Sequence, residues 1–281
     1  MAKVLIVGCG DVGGRLATLL AGAGHEVIGL RRSPFVLTGV TALVGDVRDP
    51  ASLDFPPGLD AVFIVLAPGE SGEAAYRATY LEGTRHVLAA LAGQRPRQLF
   101  WVSSTGVYGQ EDGRWVNEDT PPEPVTATGR ILLESEALAR TAPSPVTVVR
   151  LSGLYGPGRL RLVRWVEAGR PVQADPPSWS NRLHVEDAAA LLAFLLEKRL
   201  SGMELAPVYI GTDSTPAPQH EVLDWLADGL SLPHVAHENR PGGAQNKRLS
   251  NQRVSALGFC CRYHSYREGY AAVMGWSDDI R

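Results

Sequence analysis

The segment Val4-Leu-Ile-Val-Gly8-Cys-Gly10-Asp-Val-Gly13-Gly14 decides the fold of this chain. A short apolar run, Lys3–Val7, leads into three glycines with the spacing Gly-x-Gly-x-x-Gly, and a helical stripe follows at once. In this setting Gly8 permits a tight turn, Gly10 lets the backbone approach a diphosphate, and Gly13 lets the helix pack closely on the strand. The turn therefore predicts a dinucleotide site at the start of the first helix, where unpaired N–H groups favour an anion.

Strands and helices alternate through the first 150 residues. Further β-type runs occupy residues 25–30, 41–44, 61–66, 99–103 and 145–151. Helical stripes occupy residues 11–23, 74–92 and 128–140. This repetition predicts an α/β fold with a Rossmann-like, doubly wound parallel sheet and right-handed crossovers. Only the ten residues 31–40 separate the second and third strands, so we expect a short turn there instead of a crossover helix.

The pattern of the sequence changes near residue 155. We predict a dinucleotide-binding domain over residues 1–155. Proline and glycine interrupt residues 156–180, and two helical stripes follow at 186–199 and 219–230, with a short apolar run at 207–210 between them. Residues 156–281 are therefore predicted to form mostly a small C-terminal α/β substrate lid, interleaved with the main sheet.

Composition limits the partners of the protein. The 281 residues are 44% hydrophobic with a net charge of −3, which is ordinary for a globular protein. This charge does not suggest a nucleic-acid partner, which would usually need a basic face. The N-terminal apolar run is too short for a signal peptide or a membrane span. Three cysteines fit neither a disulfide framework nor a zinc pattern, so we expect free thiols and no metal. We expect a cytoplasmic protein with a small-molecule substrate and with no nucleic-acid or membrane partner. A homodimer is possible, and the sequence leaves that question open.

The end of the second strand bears on the choice of dinucleotide. An acidic residue there accepts a hydrogen bond from a free ribose 2′-hydroxyl, whereas this strand ends in Leu30-Arg31-Arg32. A guanidinium offers forked donors that suit phosphate oxygens. Arg31 and Arg32 thus favour NADP(H) over NAD(H), the alternative being that one or both belong to a solvated strand end.

Two loops fit the rest of the dinucleotide. After the third strand, Asp46 could accept from the adenine amino group, with Val47 beside it. Ala67 and Pro68 follow the fourth strand and would run under the nicotinamide ribose. With these residues, and with Asp11 and Val12 beside the glycines, the predicted cofactor site is complete. The alternative for each loop is that it only connects its strand to the next element and does not contact the cofactor.

With these residues in place, the chain resembles the extended short-chain dehydrogenase/reductase superfamily, the group of NAD-dependent epimerases and dehydratases. The resemblance covers nearly the whole chain. Besides the glycine turn, it rests on residues 45–49, 80–87, 101–109, 150–158, 182–187, 246–251 and 265–269. It implies the same Rossmann-like fold and a nicotinamide cofactor.

The resemblance also implies a catalytic Ser or Thr and a Tyr-x-x-x-Lys pair. Ser104, four residues before Tyr108, matches the Ser, but Thr126 and Arg130 stand where the Tyr and Lys belong. We expect Ser104 to polarise the reacting oxygen and Arg130 to hold ribose hydroxyls. The usual proton donor is missing, and such a donor is worth about 10²–10⁴ in rate. Tyr80, at the position of the family's helix Asn, is our first candidate, the alternative being a packing tyrosine.

Two functions remain open from the sequence. The first is an NAD(P)-dependent oxidoreductase or epimerase/dehydratase that acts on a small polar, sugar-like substrate through an atypical active site. The second is a catalytically silent NADP(H)-binding sensor or scaffold, which the loss of both members of the pair would permit. Fold analogy alone does not choose between them.

Overall fold

The computed structural model describes residues 1–239 and 246–276. The predicted lid, 156–281, contains both stretches outside these described residues. The strands are β1 Lys3–Val7, β2 Glu26–Arg31, β3 Val40–Val44, β4 Ala61–Ile64, β5 Gln98–Ser104, β6 Trp115–Val116, β7 Val146–Leu151, β8 Gly153–Tyr155, β9 Val172–Gln173, β10 Trp179–Ser180, β11 Arg182–His184, β12 Val208–Gly211, β13 Ala217–Pro218, β14 His237–Glu238 and β15 Arg248–Leu249. The helices are α1 Asp11–Gly22, α2 Glu73–Tyr76, α3 Gly83–Ala90, α4 Ala127–Ala139, α5 Arg161–Glu167, α6 Val185–Leu200, α7 Gln219–Leu230, α8 Gln252–Ser255 and α9 Tyr266–Met274, and a π-helical segment, Arg77–Glu82, joins α2 to α3.

A seven-stranded sheet in the order β12-β7-β5-β4-β1-β2-β3 carries the glycine turn. The pairs β1–β2, β2–β3, β1–β4 and β4–β5 are all parallel. The chain runs outward from β1 to β3 on one side and from β4 outward on the other, so the order reverses at β1. Ligands of doubly wound sheets bind at this switch point, beyond the carboxyl ends of the strands. The predicted Rossmann-like fold is confirmed.

The inner strands are apolar because helices cover both of their faces. Val4 to Val7 of β1 and the whole of β4 are buried, and Phe63 of β4 stacks on Phe100 of β5 with ring centroids 4.4 Å apart. The edge strand β3 is mostly exposed. Bends and a turn, with Gly39 at φ +75°, join β2 to β3, as expected for so short a connection.

One predicted helix differs from the structure. Residues 74–92 were expected as one helix, but α2 passes into the π-helical segment before α3 begins. In this wider turn, the ring of Tyr80 contacts the ring of Tyr76, at the end of α2, and that of Trp101, in β5. Single π turns of this kind are common near functional sites.

The chain forms two compact units. Unit 1 comprises Met1–Val107, Pro124–Arg150 and Ala189–Tyr209, and unit 2 comprises Tyr108–Glu123, Leu151–Ala188 and Ile210–Arg281. The chain therefore passes from one unit to the other several times. The substrate lid over residues 156–281 stays a prediction.

Unit 2 has an apolar core of its own. Tyr155 stacks on Tyr270 at 4.6 Å between ring centroids, and Trp225 meets the edge of Tyr266 at 5.4 Å. Within the two described ranges, no helix is both long and apolar enough to cross a membrane, and no group of His, Cys, Asp or Glu side chains is arranged to hold a metal ion.

Candidate dinucleotide site and active site

The glycine turn has the geometry of a cradle. Gly8 has φ +97°, and a Cβ there would lie 2.2 Å from the Val65 carbonyl oxygen. A Cβ on Gly13 would lie 2.2 Å from the carbonyl oxygen of Gly8. A Cβ on Gly10, by contrast, would meet no atom within 4 Å. Gly8 and Gly13 therefore allow close backbone packing, whereas Gly10 faces open space.

Hydrogen bonds fix this turn to the neighbouring strand. The N–H groups of Gly8 and Cys9 donate to the Leu30 carbonyl at 3.1 and 2.8 Å. The twelve-residue helix α1 then starts at Asp11, and the first turn of a helix leaves N–H groups without intrahelical partners. An open space beside Gly10, at the positive end of a helix, suits the diphosphate of a dinucleotide. The residues present therefore fit the cofactor.

A cavity of about 310 Å³ adjoins the turn at the carboxyl end of β2. Its wall combines the start of α1 with the segment that follows β2. The lining residues are Cys9, Gly10, Asp11, Gly14, Arg15, Thr18, Arg31, Phe35, Val36 and Leu37. Arg31 therefore lines the cavity that opens beside Gly10.

Arg32 points elsewhere. Its two terminal nitrogens lie 3.2 Å from the place that a Cβ on Gly69 would occupy, in the loop after β4. Ala67 and Pro68 belong to the same loop, with Ala67 exposed and Pro68 half-buried. The two arginines predicted to act together therefore lie against different segments.

The Asp46 carboxylate already has a partner. Arg48 donates to it from Nε at 3.1 and 3.0 Å and from Nη2 at 2.6 Å, and these hydrogen bonds lower the pKa of Asp46. The Asp46 N–H donates to Ser52 Oγ at 2.9 Å. Next to it, the Val47 carbonyl lies 2.7 Å from His86 Nδ1. Asp46 is held as an anion, and contact with adenine stays a prediction for both Asp46 and Val47.

Ser104 is the last residue of β5, two strands from the glycine turn along the same edge of the sheet. Its Oγ accepts a hydrogen bond from the Gly106 N–H at 3.1 Å. The bond orients the hydroxyl and leaves its proton able to reach a substrate oxygen.

The two residues at the positions of the family pair have local roles in α4. Thr126 is the N-cap, and its Oγ1 accepts from the Gly129 N–H at 3.0 Å. Arg130 is exposed, and its Nη1 donates to the Val125 carbonyl at 3.2 Å. Capping by Thr contributes about 1 kcal/mol to helix stability. A structural role thus accounts for the Thr, and the role of Arg130 at a ribose stays a prediction.

Tyr80 lies within the π-helical segment among other rings. Its centroid is 5.2 Å from that of Tyr76 and 6.0 Å from that of Trp101. Burial, and secondarily the neighbouring Tyr76, raise the pKa of Tyr80 far above its usual value. A phenol in such surroundings gives up its proton reluctantly, which weakens Tyr80 as the missing donor.

A buried polar network beside Ser104 was not anticipated from the sequence. Ser103 Oγ donates to Glu136 Oε1 at 2.6 Å, and Arg150 donates to both Glu136 oxygens at 3.0 and 2.6 Å. Both charged side chains are at most 5% exposed. The network ties the end of β5 to α4 and β7. Its one visible signal was Arg150 itself, a charge inside an otherwise apolar strand.

The cradle at the switch point of the sheet is the arrangement of a dinucleotide-binding Rossmann protein, and Ser104 lies on the same sheet edge. Comparison with known proteins gives the family. The model of the NAD dependent epimerase/dehydratase family matches residues 4–211, and the chain belongs to that family. The resemblance argued from the sequence motifs is confirmed.

Similar proteins extend over nearly the whole chain. Protein YeeZ of Escherichia coli K12 is 34% identical, over 94% of this chain and 97% of its own length. A solved Methylobacillus flagellatus structure, assigned as an NAD-dependent epimerase/dehydratase, is 39% identical with a TM-score of 0.82 over 98% of both chains. MoeE5, solved in complex with UDP-glucose and NAD, is 25% identical with a TM-score of 0.79, again over 98% of both chains.

Proposed function

We propose that this chain is an NADP(H)-dependent oxidoreductase or epimerase/dehydratase that acts on a small polar, sugar-like substrate. The observation that carries the proposal is the open space beside Gly10 on the sheet edge that also bears Ser104. The nicotinamide cofactor, when bound, supplies hydride transfer. The family and the nicotinamide cofactor follow from the comparisons, whereas the NADP(H) preference and the substrate class belong to the proposal.

The preference for NADP(H) is supported by Arg31. This residue lines the cavity beside the turn, and none of the ion pairs among the described side chains involves it. A phosphate monoester in that cavity would receive charge-assisted hydrogen bonds, which are about twice as strong as neutral ones. NAD(H) remains the alternative cofactor, and NAD is the dinucleotide in the solved MoeE5 complex.

A sugar-like substrate is supported by MoeE5, whose structure contains UDP-glucose. In our proposal Ser104 donates a hydrogen bond from its hydroxyl to the reacting oxygen of such a substrate and so polarises it. Tyr80 is the proposed source of the transferred proton, and Arg130 the proposed partner of the ribose hydroxyls. The raised pKa of Tyr80 and the exposure of Arg130 make Ser104 the firmest of these three assignments.

Turnover by a Ser104→Ala variant tests this assignment. NADPH oxidation is followed with aldehydes and ketones, and conversion of UDP-sugars, which consumes no net cofactor in an epimerase or dehydratase, is followed by chromatography of the products. The variant should lose roughly 10²-fold in kcat while NADPH affinity stays within about threefold. Thr141→Ala is a matched control that removes an exposed hydroxyl just beyond the end of α4, in unit 1 and outside the cavity. Unchanged turnover in Ser104→Ala would remove Ser104 from the mechanism.

The silent sensor remains the second candidate because Thr126 caps a helix and Arg130 is exposed. A sensor would show no hydride transfer with any substrate of that panel, and NADPH would only raise its thermal stability. If calorimetry detects binding of neither NADPH nor NADH, both candidates fail.

A further inference from the structure

The cavity at the end of β2 is lined by a second arginine, which the glycine motif does not predict. Arg15 lies on α1, two residues beyond the last glycine of Gly-x-Gly-x-x-Gly, and lines the same cavity as Arg31. The two side chains come from different elements, the helix and the strand end. An anion in this cavity would therefore be approached by cations from two directions.

Arg15 is held in place by Asp11, one helical turn earlier. Its Nε donates to Asp11 Oδ1 at 3.0 Å, and both side chains are about one third exposed. A guanidinium has its N–H donors in a fixed, planar fork, so this bond fixes the orientation of the group in the cavity wall. Asp11 also lines the cavity, and Arg15 offsets its negative charge there. With Arg31, these ionised side chains leave the wall with a net charge of +1.

Arg32 has no such position. It is absent from the lining of the cavity, and its terminal nitrogens lie against Gly69 in the loop after β4. Its charge contributes to the lowered pKa of Asp46, which places it on the Asp46 side of the strand end. The neighbour of Arg31 in the sequence is thus not its neighbour in the cavity.

We propose that Arg15 and Arg31 together hold the 2′-phosphate of NADP(H), and that Arg32 takes no part in this contact. The inference rests on the cofactor of the proposed function and names the residues that set its specificity. A dianionic phosphate gains from both guanidinium groups, whereas the 2′-hydroxyl of NAD(H) gains little from either. Discrimination between the two cofactors should therefore depend on Arg15.

Calorimetry with NADPH and NADH on single variants tests the inference. Arg15→Gln should weaken NADPH binding by roughly tenfold or more and change NADH binding by less than about twofold. Arg32→Gln should leave both affinities within about twofold. Arg97→Gln, which changes an arginine at the amino end of β5 that pairs with Asp60 at 3.6 Å, is the matched control. Thermal unfolding of each variant without cofactor shows that the fold is intact.

The outcomes separate the inference from the function on which it rests. A loss of NADPH affinity in Arg32→Gln but not in Arg15→Gln would overturn the inference. An equal loss of NADPH and NADH affinity in Arg15→Gln would overturn it too, because Arg15 would then serve the diphosphate or the fold. Equal affinity of the unmodified protein for both cofactors would overturn it while leaving dinucleotide binding intact. Binding of neither cofactor would instead defeat the proposed function.

Discussion

A single methyl group at Gly10 should separate cofactor binding from folding. The Cβ of a Gly10→Ala variant meets no protein atom within 4 Å, so no packing is lost. We expect the cofactor-free variant to fold with a loss of at most about 1–2 kcal/mol, because Gly10 is the N-cap of α1 and alanine is a poorer cap. The same methyl group occupies the space in which a diphosphate would approach the backbone at the start of α1.

The loss of binding can be estimated from the contacts that the methyl group would displace. Hydrogen bonds from backbone N–H groups to a phosphate contribute about 1.5–3 kcal/mol each. Loss of two such bonds amounts to about 3–6 kcal/mol, or more than 10²-fold in the dissociation constant. NADPH and NADH should be affected alike, because both carry the same diphosphate.

Gly13→Ala is the matched comparison within the same turn. Its Cβ would lie 2.2 Å from the Gly8 carbonyl oxygen and 3.2 Å from Ile6 Cγ2, so the helix must move away from β1. Overpacking of this kind costs about 1–3 kcal/mol and sometimes more. Thermal unfolding without cofactor and calorimetry with NADPH measure the two effects. If Gly10→Ala binds NADPH as tightly as the unmodified protein does, the diphosphate does not lie at this turn.

Two further predictions concern stability. Glu136→Ala should lower the free energy of unfolding by about 3–5 kcal/mol because it leaves Arg150 buried without its carboxylate, and an unchanged urea midpoint would contradict this. Burial raises the pKa of Asp213 to about 7, above its unfolded value, so the folded protein takes up the proton first and its stability should fall as pH rises from about 4 to 7. The fall is at most about 4 kcal/mol, and it should be absent in Asp213→Asn if Asp213 is its source.

Much of the sheet could be predicted because its strands are apolar on both faces. Strand β1 has the predicted bounds, Lys3–Val7, and α7 has the predicted bounds, Gln219–Leu230. A continuous apolar run between turn residues has few other solutions in an α/β chain. The split of the helix that contains Tyr80 could not be anticipated, because a π turn leaves no distinct pattern of apolar residues.

The candidate site was less accessible to sequence reasoning, since its side chains meet across long separations. Ser103 and Glu136 are 33 residues apart, and no periodicity connects them. Arg31 and Arg32 are adjacent and chemically alike, yet only Arg31 lines the cavity. Arg15 had no motif to mark it. The sequence could identify which segments approach a dinucleotide but not which of their side chains face it.

The start of α4 shows why the missing proton donor has to be sought elsewhere. Thr126 caps this helix, and a tyrosine in its place would lose the hydrogen bond to the Gly129 N–H. A Cβ on Gly129 would lie 2.7 Å from the Gly106 carbonyl oxygen, so the helix packs closely on the turn that follows Ser104. This end of α4 therefore supports that turn and presents no acid of its own. In the proposed reaction a general acid would come from another element or from the substrate, and Ser104 precedes the turn that the helix supports.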